Sequence, residues 1–257
     1  MKELVTIVVP VLNRIDKTRD CIRNLLEQTY KLIEIIIVDD GSSENIRNMI
    51  EEFADSRLIY IGYSENRGAN HARNIGIINS SGKYISFQDS DDIWEKEKIQ
   101  KQMDLIEKHQ ADLVFCQVKR QGFRLDSTTP EDDFVFEAKR FESDIQYRNY
   151  VSTQTMFIKR SVFSIVGLFD EEIPRYQDWE FIIRAASKIK IDYIKETLVY
   201  SEVQHDSITL SSKKEMVALR KIYKKNQKIF KFLPKMKLVV RMLRNSIDQV
   251  KSSKNAI

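Results

Sequence analysis

The chain has 257 residues, 42% of them hydrophobic and 31% charged, with two cysteines and a formal net charge of +4. That length and apolar content suit one large globular domain, or one domain with a small addition. Without a run of about 18 apolar residues, no membrane-spanning helix is expected.

The start, MKELVTIVVPV, has an apolar stretch interrupted by Pro10 and no small-residue cleavage site, so a signal peptide is not expected. LVTIVVPV (4–11) and IEIIIVDD (33–40) are nearly continuous β-rich runs, the pattern of strands covered on both faces. Between them, Cys21, Leu25 and Leu26 carry helical spacing over 17–28. After the second strand, GSSEN offers an N-cap for a helix through Ile46, Ile50 and Phe53. Further strands are predicted at 58–63, 83–88 and 112–118, with helices at 69–81 and 95–109. The pattern weakens after residue 119. Residues 122–133 read as a polar loop, 153–159 as a strand, 177–188 as a helix and 198–203 as a last strand. Successive β-α units imply an α/β fold with a mostly parallel, doubly wound sheet.

Cys21 and Cys116 are far apart and lack metal-ligand spacing. Buried free thiols in a cytoplasmic protein are expected. The net charge is uneven: residues 213–257 hold 14 Lys/Arg against two acids, +12, which leaves −8 for residues 1–212.

In an open parallel sheet, ligands bind beyond the carboxyl ends of the strands. Four such ends carry polar clusters: Pro10-Val11-Leu12-Asn13-Arg14, Asp39-Asp40-Gly41-Ser42, Glu65-Asn66-Arg67-Gly68 and Asp89-Ser90-Asp91-Asp92. Polar turns alone account for one or two of these, not for acids crowded at two strand ends. A hard divalent cation, Mn²⁺ or Mg²⁺, relieves that crowding, since such ions take carboxylate oxygens together with substrate phosphates. If the segment stays extended, Asp89 and Asp91 point the same way.

The ordered set PVLNR, QTY, IEIIIVDDGSSEN, ENRGANHARNIG, GKYISFQDSDDIW and QDWEFIIR resembles the family-2 glycosyltransferases of the GT-A fold over roughly residues 4–210. The resemblance implies inverting transfer of a sugar from a nucleotide-diphosphate donor, with a UDP-sugar expected. By the same resemblance, Pro10, Val11 and Asn13 border the nucleobase and Asp39 accepts from it. Asn66 and Gly68 belong to the donor loop, Arg73 reaches base or diphosphate, and Asp89 and Ser90 lie near ribose or donor sugar. Asp91 is the implied metal ligand, and Asp92 supports its loop. Trp94 is expected to pack. Asp178 falls on the family's general base, although Gln177 stands where the family carries Glu. His205 falls where a histidine can reach the metal; a structural role is the other reading.

Plain alternatives stand beside three of these. Asp178 also suits a helix N-terminus on dipole grounds, Arg73 a surface salt bridge, and Gly68 an ordinary turn. The implied organisation is a GT-A domain over 1–212, its nucleotide-binding half at 1–118 and acceptor side at 119–212, followed by a basic amphipathic helical tail at 213–257. The acceptor would be a glycan or lipid-linked hydroxyl in cell-surface polysaccharide synthesis. The absence of a Q-x-x-R-W motif argues for single additions rather than processive synthesis. Residues 213–251 read either as a surface for anionic lipid at the inner face of the membrane or as helices packed on the body. Nucleic-acid binding is not expected, because aromatics do not interleave with the basic residues, and an oligomer is compatible with the sequence. The rival functions are a non-catalytic nucleotide-sugar binding module and another metal-phosphate enzyme such as a nucleotidyltransferase.

Overall fold

The computed structural model of the protein describes residues 3–122, 125–203 and 212–229. The first part runs β1 (Val5–Val11), α1 (Ile15–Leu26), β2 (Ile33–Asp40), α2 (Ile46–Glu51), β3 (Leu58–Tyr63), α3 (Ala69–Ile78) and β4 (Tyr84–Phe87). These follow the expected elements within a few residues. β1 and β2 lack polar interruptions because both of their faces are covered. Val8, Ile36 and Val38 face one core, shared with α3. Ile7, Val9, Ile35 and Ile37 face another, shared with α1 and α2. On the first face the packing is close: a Cβ on Gly76 of α3 would lie 2.2 Å from a Val8 methyl.

β1 pairs in parallel with both β2 and β4, and β2 in parallel with β3. The order here is therefore β3-β2-β1-β4. α3 carries the chain back past β2 and β1, so the winding reverses between β1 and β4. The crevice at the carboxyl ends of these two strands is the switch point where such sheets bind ligands.

The second part contains β5 (Asp92–Trp94), α4 (Lys98–His109), β6 (Leu113–Gly122), β7 (Leu125–Thr129), α5 (Ala138–Asp144), a 3₁₀ turn (Thr153–Thr155), β8 (Phe157–Lys159), α6 (Val162–Val166), α7 (Gln177–Ala185), β9 (Ile191–Val203) and α8 (Ser212–Lys225). The sheet continues from β4 through β8, β6 and β9 to β5, with β7 beside β6. β8 is antiparallel to β4 and β6, β9 is parallel to β6, and β5 is antiparallel to β9. Only β5, β7 and β8 thus run against the rest.

Three differences from the sequence expectation have physical causes. The polar stretch 122–133 contains β7, which pairs with the outer half of β6; a hairpin arm with polar side chains needs no apolar run to form. β9 begins at Ile191, not 198, because it is aligned by its pairing with β6 and not by its own mixed pattern. The third is β5, a strand of three residues inside the acidic cluster. It is pinned by Asn24 of α1, which exchanges hydrogen bonds with Trp94: its Nδ2 donates to the carbonyl at 3.0 Å and its Oδ1 accepts from N–H at 2.9 Å. Gln28 adds a bond from Nε2 to the Glu95 carbonyl at 2.9 Å.

The basic segment after residue 212 begins as α8, and Ala218, Leu219 and Ile222 of that helix are fully buried in the core beside α7. Its polar side ties down the loop before α7: Glu215 accepts from Arg175 at 3.2 Å and from the Tyr176 hydroxyl at 3.1 Å. Residues 230–257 lie outside the described residues. Since Leu219 belongs to the main core, Leu219→Ala should destabilise the fold by about 2–5 kcal/mol. Urea unfolding reads this directly, and a loss below about 0.5 kcal/mol, the usual size for a surface change, would show that the helix does not share the core.

Candidate active site

The acids gather where the switch point opens. β4 ends at Phe87, and the chain then turns sharply, with Asp92 N–H donating to the Asp89 carbonyl at 3.0 Å. The segment is a turn and not extended, so Asp89 and Asp91 meet different partners instead of pointing together. Asp89 accepts from Arg73 Nη2 at 2.6 Å, and Asp91 accepts from Arg14 Nη1 at 2.8 Å. Asp92 enters β5 and is buried, with Oδ2 lacking any hydrogen-bond partner. Burial, and then the Asp89 carboxylate, push the pKa of Asp91 up, against the pull of Arg14. The same two causes push Asp92 well above the usual carboxylate range. Ser90 sits half-buried at the tip of this turn.

Around this turn, the other strand ends brace one another. Arg14 and Asn13 both adopt left-handed backbone, with φ of 60° and 57°. Such strain in non-glycine residues persists only where neighbours hold it. Here Asn13 Oδ1 accepts from Ser43 N–H at 2.9 Å, Ser42 Oγ accepts from Asn13 N–H at 2.7 Å, and Glu44 accepts from Ile15 N–H at 2.8 Å. Asn13 is thus a loop brace. Val11 is buried, and Pro10 is partly exposed at the end of β1. Asp39 accepts from Ser42 N–H and from the Tyr60 hydroxyl, each at 2.9 Å. Asp40 accepts from the backbone N–H groups of Arg67 and Gly68 at 2.7 and 2.8 Å, locking the third strand's loop to the second. Gly41, at φ 80°, permits that approach, because a Cβ there would sit 2.8 Å from Asn66 N. Asn66 is exposed, and its Oδ1 accepts from Gly68 N–H at 3.1 Å. A Cβ on Gly68 would meet open space, but its φ of 94° still favours glycine.

Arg73 does not lie on the surface. It is 3% exposed and committed to Asp89, and its Nε has no partner. The same helix reaches a second target. Asn70 donates to the carbonyls of Asp170 and Ile173, Asn74 to that of Phe169, and His71 meets Glu171 at 3.0 Å. α3 therefore fixes the 169–173 loop that leads to Asp178. Asp178 stands in the first turn of α7, after Tyr176 at φ 64°. Its Oδ1 accepts from Trp179 N–H at 2.7 Å and from Asn149 Nδ2 at 3.1 Å. Among the described residues, both hydrogen bonds end on Oδ1 and none on Oδ2. Burial pushes the Asp178 pKa up, while Trp179 N–H, Arg120, Arg73 and Asn149 hold it down.

Three participants have no counterpart in the sequence reading: Arg120, Asn149 and the Arg14–Asp91 pair. Asn149 and Arg120 come from the region where the pattern fades, and no motif marks them. Arg120 lies on the outer half of β6, and its charge acts on Asp178, Asp92 and Asp89. His205 lies outside the described residues. Trp94 is buried and packs, as expected, against Lys98, whose Nζ is 3.6 Å from the ring centroid.

The donor set fits a hard divalent cation. It offers carboxylate oxygens, a buried carboxylate oxygen without a partner, and acids raised by burial and then by their neighbours' charge. No group of three or more His, Cys, Asp or Glu side chains among the described residues could enclose an ion alone.

This combination defines the class: a GT-A sheet with clustered carboxylates at its switch point. Residues 6–166 match the family described as glycosyl transferase family 2, and the chain belongs to that family. An uncharacterized glycosyltransferase of Rickettsia prowazekii is 29% identical over 205 residues, 78% of this chain and 64% of the relative. TuaG of Bacillus subtilis, named for teichuronic acid biosynthesis, is 30% identical over 154 residues, 58% of this chain and 59% of its own. The chain thus spans less than two thirds of either relative's length. Among solved structures, S. aureus TarS 1-349 in complex with UDP-GlcNAc has a TM-score of 0.70 at 18% identity, covering 96% of this chain and 73% of that one. The mannosyltransferase PcManGT of Pyrobaculum calidifontis, in complex with GDP-Man and Mn²⁺, has a TM-score of 0.69 at 16% identity, covering 100% and 76%. Both share the fold.

Lys98 supplies a test of the scaffold behind the acids. It is fully buried, held by Gln102 Oε1 at 2.8 Å and Ser86 Oγ at 3.2 Å, without a carboxylate partner. Burial lowers its pKa from 10.5 to about 7. The folded state therefore binds fewer protons than the unfolded state between those values, so stability falls as pH drops from about 10 to about 7. Lys98→Met should raise the Tm at pH 7 more than at pH 10, as read by thermal melts at both pH values. Equal gains at the two would place the effect elsewhere.

Proposed function

We propose that the chain is the catalytic unit of an inverting, metal-dependent glycosyltransferase. It would move a single sugar from a nucleotide-diphosphate donor, a UDP-sugar, to a hydroxyl of a glycan or lipid-linked acceptor in cell-surface polysaccharide synthesis. The feature that supports the reading is the presence of two acid centres linked by one arginine. The first is the Asp89–Asp92 turn. The second is Asp178, whose Oδ1 is anchored while Oδ2 accepts no hydrogen bond from the described residues. Arg73 links them, bonded to Asp89 and acting on Asp178. A binding module would need the first centre and not the second.

In this reading Asp178 Oδ2 takes the proton of the acceptor hydroxyl as that oxygen bonds the anomeric carbon. The bond from that carbon to the diphosphate oxygen breaks, its electron pair leaves with the nucleotide diphosphate, and attack from the opposite face inverts the centre. Asp39 would accept from a nucleobase N–H, and Arg73 would face the diphosphate beside Asp89. Asp91, with Asp92 behind it and His205 as a further candidate, would hold Mn²⁺ or Mg²⁺, which supplies Lewis-acid stabilisation of the leaving group when bound. The UDP-GlcNAc and GDP-Man–Mn²⁺ complexes of the fold relatives support a nucleotide-sugar donor with a divalent cation, and TuaG's name supports a polysaccharide setting. No helix among the described residues is long and apolar enough to cross a membrane.

Two variants separate the roles. Asp91→Ala should abolish Mn²⁺-dependent binding of UDP in calorimetry. Asp178→Asn should leave that binding intact and lower turnover by about 10²–10⁴-fold. A nucleotide-sugar screen scored by released UDP finds the donor for this assay, and undiminished turnover in Asp178→Asn would remove the base from the reading.

A further inference from the structure

A base works only if its carboxylate is held where the acceptor hydroxyl arrives, and a misplacement of about 1 Å can cost roughly 10²-fold in rate. Asp178 is two residues from Tyr176, which precedes α7 in left-handed backbone with φ 64° and ψ 29°. An aromatic residue keeps that conformation only where its surroundings hold it. What holds the start of α7 therefore sets where Asp178 stands.

The holding contacts come from α8. Glu215 divides its carboxylate oxygens: Oε1 accepts from the Tyr176 hydroxyl at 3.1 Å and Oε2 from Arg175 Nη1 at 3.2 Å. The Arg175 and Glu215 side chains are only 13% and 14% exposed, so solvent ions screen the pair little. The Arg175 guanidinium lies 4.6 Å from the centre of the Tyr176 ring, and that ring stands edge-on to Trp179, with 5.7 Å between centres. Contacts from Glu215 thus pass through Tyr176 to Trp179, the residue next to Asp178. The Tyr176 carbonyl also accepts from Glu180 N–H at 2.9 Å, inside the first turn of α7.

The loop and α8 run in opposite directions. Lys225 donates to Asp170 at 2.5 Å and Lys221 to the Glu172 carbonyl at 2.8 Å, and Glu215 meets the loop's last two residues. α3 holds the same loop as far as Ile173, through Asn70. Glu215 thus grips the end nearest the base. In residues 213–257 it is one of two acids among 14 Lys/Arg. An acid in the first turn of a helix also suits the helix dipole. That accounts for the charge, but not for a separate bond from each oxygen to the two residues before α7.

We infer that Glu215 is the positioning residue of the base: through Arg175 and Tyr176 it fixes the first turn of α7, and with it the orientation of Asp178 toward Asn149. The start of the C-terminal segment then belongs to the catalytic unit. The inference rests on the reading of Asp178 as base.

The geometry can be read without donor or acceptor. Asn149 Nδ2 donates to Asp178 Oδ1 at 3.1 Å. Its side-chain amide signal in ¹H–¹⁵N NMR of the full chain, identified by its loss in Asn149→Ser, reports that bond, and Asp178→Ala gives the signal's position with the bond absent. Glu215→Ala should move the signal most of the way to that position. Tyr176→Phe, which loses one of the two bonds, and Glu215→Gln, which keeps an acceptor oxygen for Tyr176, should each move it part of the way. A role in stability alone lowers the Tm and leaves the signal of the folded protein in place. An unmoved signal in folded Glu215→Ala, or in both Glu215→Gln and Tyr176→Phe where that variant is unfolded, overturns the inference. In the released-UDP assay, Glu215→Ala should lower kcat by about 10–10²-fold with the donor KM unchanged. An unchanged kcat there, with Asp178→Asn impaired, also overturns it. Failure of the base reading appears separately, as turnover that survives Asp178→Asn.

Discussion

Mutual repulsion among Asp89, Asp91 and Asp92 is the constraint around which the rest of the cleft is arranged. Three carboxylates within four residues, partly withdrawn from water, interact more strongly than they would in bulk solvent. The protein offsets this only in part. Arg73 answers Asp89 from a buried helix position, and Arg14 answers Asp91 from a half-exposed turn, while Asp92 keeps an oxygen without a partner. What remains is a cluster of carboxylates at the switch point whose charge is only partly compensated.

Holding that repulsion in place takes structure on every side. β5 is too short to persist alone, so Asn24, Gln28 and the pairing with β9 fix it. The strained Asn13-Arg14 turn is held by Ser42, Ser43 and Glu44, which belong to the neighbouring strand's loop. Asp40 and Gly41 bind the next loop in turn. The first three strand ends are thus tied to one another by hydrogen bonds between their loops, and the Arg14–Asp91 pair ties them to the fourth.

The opposite wall is built differently. The loop at 169–176 is gripped from one side by Asn70, His71 and Asn74 of α3 and from the other by Glu215, Lys221 and Lys225 of α8. α3 also carries Arg73, so a single helix sets the distance between the acidic turn and Asp178. The start of the basic C-terminal segment is part of this wall, and its lysines find acids on the loop that Asp178 follows.

The first four strands, their helices, the acidic strand ends and the family were legible in the sequence, because strands buried on both faces write continuous apolar runs and turns write Asp, Asn and Gly. Asp91 and Asp178 were legible as members of motifs. The rest was decided only in three dimensions. β7 and the first half of β9 hold together by backbone pairing, to which side-chain periodicity is blind. Arg120 stands opposite Ser201, and not Leu198, because of a register shift between β6 and β9, and nothing local to residues 119–122 records a register. Arg73 could not be told from a surface arginine until α3 was packed, and α8 could not be told from a free tail until its apolar stripe met the core. Local chemistry is written along the chain; which charges share a low-dielectric space depends on contacts between segments a hundred residues apart.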